Sequence, residues 1–199
     1  MGRAKEYKPK HSRESELSFT KEDLRWATNE AVADYRAKRL ACNTIVDIGC
    51  GIGFQALSFA KVCKKVYAIE LDKAKLELAK KNAMTLGLDN IEFIEGDALD
   101  DAVITKLKDV DVDVVFCDPE RLPEEDVRKL GTIRPDVNAL LAKYSKLTER
   151  IAIEFPPQIR VVPFDCEKEY VSLDGKLNRL TLYFGPFKRC AISAVTLPS

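Results

Sequence analysis

Hydrophobic and polar positions alternate with a helical period near the start of the chain. Leu24, Ala31 and Tyr35 fall on one face at that period, and Thr20 can cap the helix because an acidic residue follows three positions later. The pattern therefore predicts one N-terminal helix over residues 20–40.

From residue 43 onward, short β-branched runs alternate with helical stretches. Strands are predicted over residues 44–48, 65–70, 90–94, 112–117 and 150–155, with helices over 54–64, 73–86, 102–108 and 135–145. Such alternation specifies a parallel sheet with helices on both faces. Near the end, two β-rich runs flank Asp174-Gly175, a hairpin signal, and a further strand covers residues 188–197. We therefore predict an α/β fold, a doubly wound and mostly parallel seven-stranded sheet with an antiparallel C-terminal hairpin.

The composition is that of a folded globular chain. The 199 residues carry 32 Lys and Arg against 32 Asp and Glu, so the net charge is zero, and 46% are hydrophobic. These values exclude disorder, collagen and a strongly basic nucleic-acid-coating protein, and they favour a single domain over residues 19–199. Residues 1–18 are predicted to form a basic, flexible arm, with contacts to phosphates as the other interpretation.

The sequence predicts neither a metal site nor a membrane segment. The six cysteines are scattered and His11 is the single histidine, which leaves no set of metal ligands. No apolar run approaches the roughly 18 residues of a membrane span, and the start of the chain has no apolar leader. We therefore expect a cytoplasmic protein in a reducing setting.

A glycine-rich turn follows the first predicted strand. Glycines at the carboxyl end of this strand let the backbone approach a ligand closely, at the edge where doubly wound sheets bind ligands. The spacing is G-x-G-x-G, whereas the dinucleotide fingerprint would need glycine where Phe54 stands. The turn and the acid before it comprise Asp47, Gly49, Cys50, Gly51 and Gly53.

Three further loops at the same edge carry acidic residues. Glu70 ends the second strand, where a carboxylate can accept the hydroxyls of a ribose. Asp97 and Ala98 follow the third strand, where an acid and a backbone N–H can bind adenine. Asp118 and Pro119 follow the fourth strand, where they present oxygen acceptors to the crevice.

Together these loops resemble those of class I S-adenosylmethionine-dependent methyltransferases, which implies a Rossmann-like fold and that cofactor. The chain is more closely similar to the methyltransferase domain of THUMP-like-domain proteins, through residues 25–30 (RWATNE) and the hairpin over residues 169–175 (EYVSLDG). A more distant likeness is to RNA cap guanine-N2 methyltransferases. The implied cofactor-binding residues are Asp47, Gly49, Cys50, Gly51, Gly53, Glu70, Leu71, Asp97 and Ala98.

The resemblance also implies an acceptor site. Asp118 and Pro119 would be catalytic, holding the protons of an amine and aiming its lone pair at the methyl group, a task that is chiefly positioning. The candidate substrate-binding residues are Trp26, Thr28, Glu120 and Arg121. Trp26 is interpreted either as a stacking residue over the pocket or as a packed helix aromatic.

The sequence departs from these families in three places. Asn29 stands where a proline is usual, and Glu120-Arg121 follow Asp118-Pro119 where amino-group methyltransferases have a Pro-Trp or Pro-Tyr pair whose ring stacks on the base. Glu154, at the end of the fifth strand, stands where the THUMP-like group tends to have lysine. We therefore expect a more acidic pocket.

Three functions remain open from the sequence. The first is a methyltransferase acting on RNA, such as a tRNA or rRNA base, which would make RNA a partner. The second keeps the cofactor but methylates a protein side chain or a small metabolite, which zero net charge favours. The third is a non-catalytic nucleotide-binding module or an NAD-dependent dehydrogenase, and the latter lacks the Tyr-x-x-x-Lys motif and a catalytic histidine.

Overall fold

The computed structural model describes residues 7–121, 133–159 and 161–198. The helices are α1 Lys21–Trp26, α2 Glu30–Arg39, α3 Phe54–Ala60, α4 Lys73–Thr85, α5 Asp101–Leu107 and α6 Val137–Tyr144. The strands are β1 Thr44–Ile48, β2 Lys65–Glu70, β3 Ile91–Glu95, β4 Val114–Cys117, β5 Glu120–Arg121, β6 Ile133–Arg134, β7 Ile151–Phe155, β8 Glu167–Leu173, β9 Lys176–Tyr183 and β10 Ile192–Leu197.

Eight strands form one sheet in the order β10-β8-β9-β7-β4-β1-β2-β3, and β5 pairs with β6 separately. Strands β7, β4, β1, β2 and β3 are parallel neighbours, while β9 runs antiparallel to both β7 and β8. The α/β fold with its antiparallel hairpin is confirmed. The sheet has eight strands rather than seven, because the further strand predicted over residues 188–197 joins the same sheet as β10, beside β8.

The single helix predicted over residues 20–40 is wrong, since two helices cover this stretch. Helix α1 ends at Trp26, and the ammonium of Lys10 binds the carbonyls of Arg25 and Ala27, each at 2.7 Å. Helix α2 starts again where the side chain of Asn29 accepts the N–H of Ala31 at 2.9 Å. Helical periodicity could not reveal this break, because Lys10 is distant in sequence.

The sheet is covered on both faces by apolar clusters. On β1, Ile45 belongs to the cluster under α2 and α3, whereas Val46 and Ile48 belong to the cluster under α5 and α6. Successive residues of a strand point to opposite faces, so Asp47 shares the face of Ile45. The core therefore places this acid beneath α2 and α3.

We call residues 7–19 the N-terminal strap, the described part of the predicted arm together with Phe19. Lys8 forms an ion pair of 3.0 Å with Asp174, at the turn between β8 and β9. His11 is buried, with its ring centroid 5.5 Å from that of Phe54 at the start of α3. The N–H of Ser18 donates to a side chain of α4 at 2.7 Å. The strap thus joins the C-terminal hairpin to the helices beside the glycine turn, and residues 1–6 lie outside the described residues.

Within the described ranges, no helix combines the length and apolarity that a membrane crossing requires. The same ranges contain no group of three or more His, Cys, Asp or Glu side chains suited to a metal ion.

Candidate functional site

The glycine turn lies at the carboxyl end of β1, between this strand and α3. Gly49, Gly51 and Gly53 have φ values of +74°, +55° and +92°, which L side chains rarely adopt. The N–H groups of Gly49 and Cys50 donate to the carbonyl of Ile69 on β2, at 2.9 and 3.1 Å. The turn is therefore held against the neighbouring strand, in a conformation that its three glycines adopt without strain.

Glu70, at the end of β2, is buried beside the turn. One carboxylate oxygen accepts the N–H of Gly51 at 2.8 Å, and the other accepts the N–H of Asp72 at 2.9 Å. A carboxylate oxygen has two lone pairs and can accept more than one hydrogen bond. The predicted ribose-binding acid is thus placed next to the predicted glycine loop.

Gly49 lies directly against the loop that follows β4. The N–H of Asp118 donates to the carbonyl of Ile48 at 3.0 Å. A methyl group on Gly49 would lie 2.8 Å from the carbonyl oxygen of Asp118, closer than real Cβ atoms come to backbone. The structure therefore brings the glycine turn and the Asp118-Pro119 loop into contact.

Asp47 is completely buried, and neither of its carboxylate oxygens has a hydrogen-bond partner among the described residues. Burial, and then the negative charge of Asp118, raise the pKa of Asp47 to about 8, while the positive charge of Arg36 acts in the opposite direction. A buried carboxylate without partners is costly. A cationic ligand group at this position would remove that cost.

The predicted adenine-side residues lie at the ends of β2 and β3. Leu71 is 69% exposed, and Asp97 is also exposed, with one oxygen accepting the N–H of Leu99 at 2.8 Å. Ala98 is buried, and its carbonyl accepts the hydroxyl of Tyr144 at 2.9 Å. An exposed apolar side chain and an exposed carboxylate thus follow neighbouring strands at one edge of the sheet.

A charge network of two arginines and one glutamate lies next to the Asp118-Pro119 loop. Glu154 on β7 forms ion pairs with Arg36 of α2 and with Arg179 of β9, the latter at 2.6 Å. Arg36 also donates to Gln55 at 2.6 Å, and its guanidinium lies 4.6 Å from the ring centroid of Phe116. The expectation that Glu154 makes the pocket more acidic is corrected, because two arginines neutralise its charge.

Arg179 and Lys10 are two cations of this region that the sequence did not indicate as site residues. The charge of Glu154, and less strongly that of Asp118, raises the pKa of Arg179. Burial, and then the positive charge of Arg179, lower the pKa of Lys10 to about 8. Lys10 contacts residues 25 and 27, and Arg179 interacts with Glu154 and Asp118. These partners are distant in sequence, so no local motif indicates either cation.

The candidate substrate residues differ in their surroundings. Trp26 is 54% exposed, which contradicts its interpretation as a packed helix aromatic, and the guanidinium of Arg25 lies 5.1 Å from its ring centroid. Thr28 is buried, with 4% of its surface exposed. Glu120 and Arg121 form β5, immediately after Pro119.

Comparison with known proteins adds sequence relationships to this geometry. Residues 42–122 match the family of RNA cap guanine-N2 methyltransferases. An uncharacterized protein of Methanocaldococcus jannaschii is 36% identical over 108 residues, 51% of this chain and 40% of that protein. An uncharacterized RNA methyltransferase of Oceanobacillus iheyensis is 41% identical over 81 residues, 40% of this chain and 17% of that protein.

A third relative bears a different substrate name. A Sulfolobus acidocaldarius protein named as a cobalt-precorrin-6B C(15)-methyltransferase (decarboxylating) is 35% identical over 132 residues, 61% of this chain and 64% of that protein. The chain therefore spans less than two thirds of the length of each of these relatives.

Solved structures share the fold. A protein of Porphyromonas gingivalis W83 assigned to the methyltransferases aligns with a TM-score of 0.74 at 16% identity, covering 85% of this chain and 43% of that one. A Streptococcus mutans protein in complex with S-adenosylhomocysteine aligns with a TM-score of 0.52 at 14% identity, covering 76% of this chain and 97% of that one.

The residues at the sheet edge fit S-adenosylmethionine. The turn at Gly51, where an added Cβ would meet no atom of the described residues within 4 Å beyond the adjacent residues, leaves room for a ligand close to the backbone, and the unpartnered carboxylate of Asp47 suits an ammonium group. S-adenosylmethionine is the cofactor that the matched family supports. The finer likeness to THUMP-like-domain proteins stays a prediction.

The fold, the matched segment and the names of the relatives all indicate a methyltransferase. The shared fold and the matched segment thus relate the chain to the class I S-adenosylmethionine-dependent methyltransferases, with residues 42–122 similar to the RNA cap guanine-N2 methyltransferases.

Proposed function

We propose that this chain transfers the methyl group of S-adenosylmethionine to a base of RNA, such as a tRNA or rRNA base. One observation carries the proposal. The glycine turn and the loop of Asp118 and Pro119 touch, with a Cβ at Gly49 only 2.8 Å from the Asp118 carbonyl oxygen. A methyl donor held at one loop and an acceptor held at the other would be neighbours.

The cofactor-binding roles are part of the proposal. Glu70 would accept the ribose hydroxyls, Asp97 and Ala98 would bind the adenine edge, and Leu71 would cover the adenine ring. Gly49, Cys50, Gly51 and Gly53 would surround the methionine part, with Asp47 facing its ammonium group.

Asp118 and Pro119 would bind the acceptor. When bound, the cofactor supplies an electrophilic methyl group on a sulfonium. The carboxylate of Asp118 and the carbonyl of Pro119 would accept hydrogen bonds from the acceptor amine and so aim its lone pair at the methyl carbon. S-adenosylhomocysteine would be the leaving group, and the proton of the methylated amine would pass to solvent water. The contribution of the chain is orientation, which can supply much of the rate enhancement.

RNA as acceptor is supported by the matched family and by the name of the Oceanobacillus relative. The charge of Arg179 agrees with it, because the electrostatic interaction between Arg179 and Asp118 places positive charge beside this loop. Trp26, exposed at the end of α1, offers a ring for stacking, whereas Glu120-Arg121 contain no aromatic residue. Thr28 and Arg121 complete the candidate substrate set.

A small metabolite is the second candidate acceptor. It is favoured by the relative named for a cobalt-precorrin, which aligns over more residues than the RNA-named relative. The zero net charge of the chain also favours a small metabolite over RNA.

Incubation with methyl-labelled S-adenosylmethionine and separate RNA, protein and metabolite fractions tests the proposal. We expect label in RNA, and RNA binding that weakens steeply as salt rises. Label confined to the metabolite or protein fraction would reject RNA, and failure to bind S-adenosylhomocysteine in calorimetry would reject the methyltransferase itself.

Asp118→Ala tests the acceptor site separately. We expect loss of turnover with little change in S-adenosylhomocysteine affinity, because the side chain is assigned to the acceptor. Asp109→Ala, at an exposed position after α5, is the matched control and should leave turnover unchanged. Activity that survives in Asp118→Ala would show that the acceptor lies elsewhere.

A further inference from the structure

Cys42 and Cys63 occupy equivalent positions before two neighbouring parallel strands. Thr44 of β1 pairs with Lys65 of β2, and each cysteine stands two residues before its member of that pair. Residues two positions apart along an extended chain point to the same face. Both side chains accordingly join the apolar cluster under α2 and α3, with their sulfur atoms 3.9 Å apart.

The backbone on both sides of this thiol pair is held in place. The Asp113 carboxylate accepts the N–H groups of Asn43 and Thr44, at 2.9 and 2.8 Å. The N–H of Lys65 donates to the carbonyl of Asn43, and the Asn90 side chain donates to the carbonyl of Cys63, both at 2.9 Å. Side-chain rotation over a short distance is therefore the main movement that would bring the sulfur atoms together.

We propose that Cys42 and Cys63 are a modification site that forms an intramolecular disulfide by exchange with a low-molecular-weight disulfide of the glutathione class. Cys42 is partly exposed, whereas Cys63 is buried, so Cys42 meets the reagent first. The hydrogen bond with Cys63, and then burial, raise the pKa of the Cys42 thiol, so its proton passes to solvent as its sulfur attacks one reagent sulfur, which forms a mixed disulfide and releases one reagent thiol. The Cys63 thiolate then attacks the Cys42 sulfur and releases the second thiol.

The exchange is balanced. The two protein thiols lose two electrons and two protons, and the reagent disulfide takes them up as two free thiols. The covalent ring that results runs from residue 42 to residue 63 and contains β1, the glycine turn and α3. Closing a loop of this length restricts the unfolded chain, so the oxidised protein should melt about 5 to 10 °C higher than the reduced protein.

The test uses the full chain, fully reduced and then incubated with glutathione buffers of increasing oxidised fraction. We expect the intact mass to fall by two hydrogen atoms, and a non-reducing digest to yield one peptide pair joined through Cys42 and Cys63. The melting temperature should rise together with that mass change.

Two variants locate the bond. Cys42→Ser should lose both the mass change and the melting shift, whereas Cys190→Ser, which removes an exposed thiol, should keep both. A glutathione adduct that persists on Cys42, an unchanged mass or a bond through another cysteine would each overturn the proposal. The digest of the unsubstituted chain gives this result even where a variant folds poorly.

Discussion

The carboxylate of Glu70 binds the N–H of Gly51 at 2.8 Å, which ties the end of β2 to the glycine turn after β1. Its second oxygen binds the N–H of Asp72, the residue that caps α4. One buried side chain therefore fixes the strand, the turn and the start of a helix relative to one another. The same carboxylate would bind the ribose, so loop order and cofactor binding are coupled through it.

Glu70→Gln should weaken S-adenosylhomocysteine binding by about 30-fold, since hydrogen bonds to a charged group contribute about 2 kcal/mol. The amide also has an NH₂ group, which would face one of the two backbone donors. Calorimetric titration measures the loss. Glu95→Gln is the matched control, because Glu95 pairs with Glu70 in register on β3 but is exposed. Equal affinities in both variants would contradict the role of Glu70.

Comparing Gly49→Ala with Gly51→Ala separates two effects, the strain of a positive φ and the contact between residue 49 and the Asp118 carbonyl. Both glycines have positive φ, so each substitution costs about 1 kcal/mol in strain. At Gly49 the new methyl group also meets the Asp118 carbonyl at 2.8 Å, whereas at Gly51 it would meet no atom within 4 Å among the described residues other than those adjacent in the chain. Gly49→Ala should therefore lose at least tenfold more turnover than Gly51→Ala, measured under identical conditions. Equal losses would mean that the two loops adjust freely.

Glu154→Gln should destabilise the protein by about 3 to 5 kcal/mol, because it removes the carboxylate that pairs with the buried Arg36 and the half-buried Arg179. Thermal unfolding should occur about 10 °C lower. Glu77→Gln removes an ion pair of 2.6 Å with Lys80 on α4 that is partly exposed at both ends. This control should change stability by less than about 0.5 kcal/mol, and an equal effect of the two substitutions would refute the network's role.

Asp47 should make the free protein less stable as pH rises from about 4 to about 8. Burial raises the folded-state pKa of Asp47 to about 8, whereas an unfolded Asp titrates near about 3.9. The folded state therefore binds more protons than the unfolded state between these two pH values. The free energy of unfolding falls as pH rises through this range, by up to about 1.4 kcal/mol per pH unit. Urea unfolding at several pH values measures this slope.

Asp47→Asn should remove that slope. His11 contributes the opposite trend in both proteins, because burial lowers its pKa and stability is lost when it gains a proton at lower pH. The difference between the two proteins isolates Asp47, and parallel curves would show that its pKa is not raised. Binding of S-adenosylhomocysteine near pH 7 should release protons from the natural chain alone, as calorimetry in buffers of different ionisation enthalpy would detect.

The sequence by itself determined the strands, most of the helices and the loops that follow β1 to β4. These features depend on local rules: β-branched runs form strands, Gly87 ends α4 with φ of +69°, and Asp118-Pro119 stops β4. Because parallel strands place their carboxyl ends at one edge, the order of the elements already placed the glycine turn, Glu70, Asp97 and Asp118 together.

Only the tertiary structure decided which charges neutralise each other and where the first helix breaks. Glu154 is paired with Arg36, 118 residues away along the chain, and Lys10 ends α1 by binding its last carbonyls. A contact between residues distant in sequence has no periodic or motif signal in a single chain. The exposure of Trp26 and the contact between Cys42 and Cys63 were decided in the same way, by packing that joins separate elements.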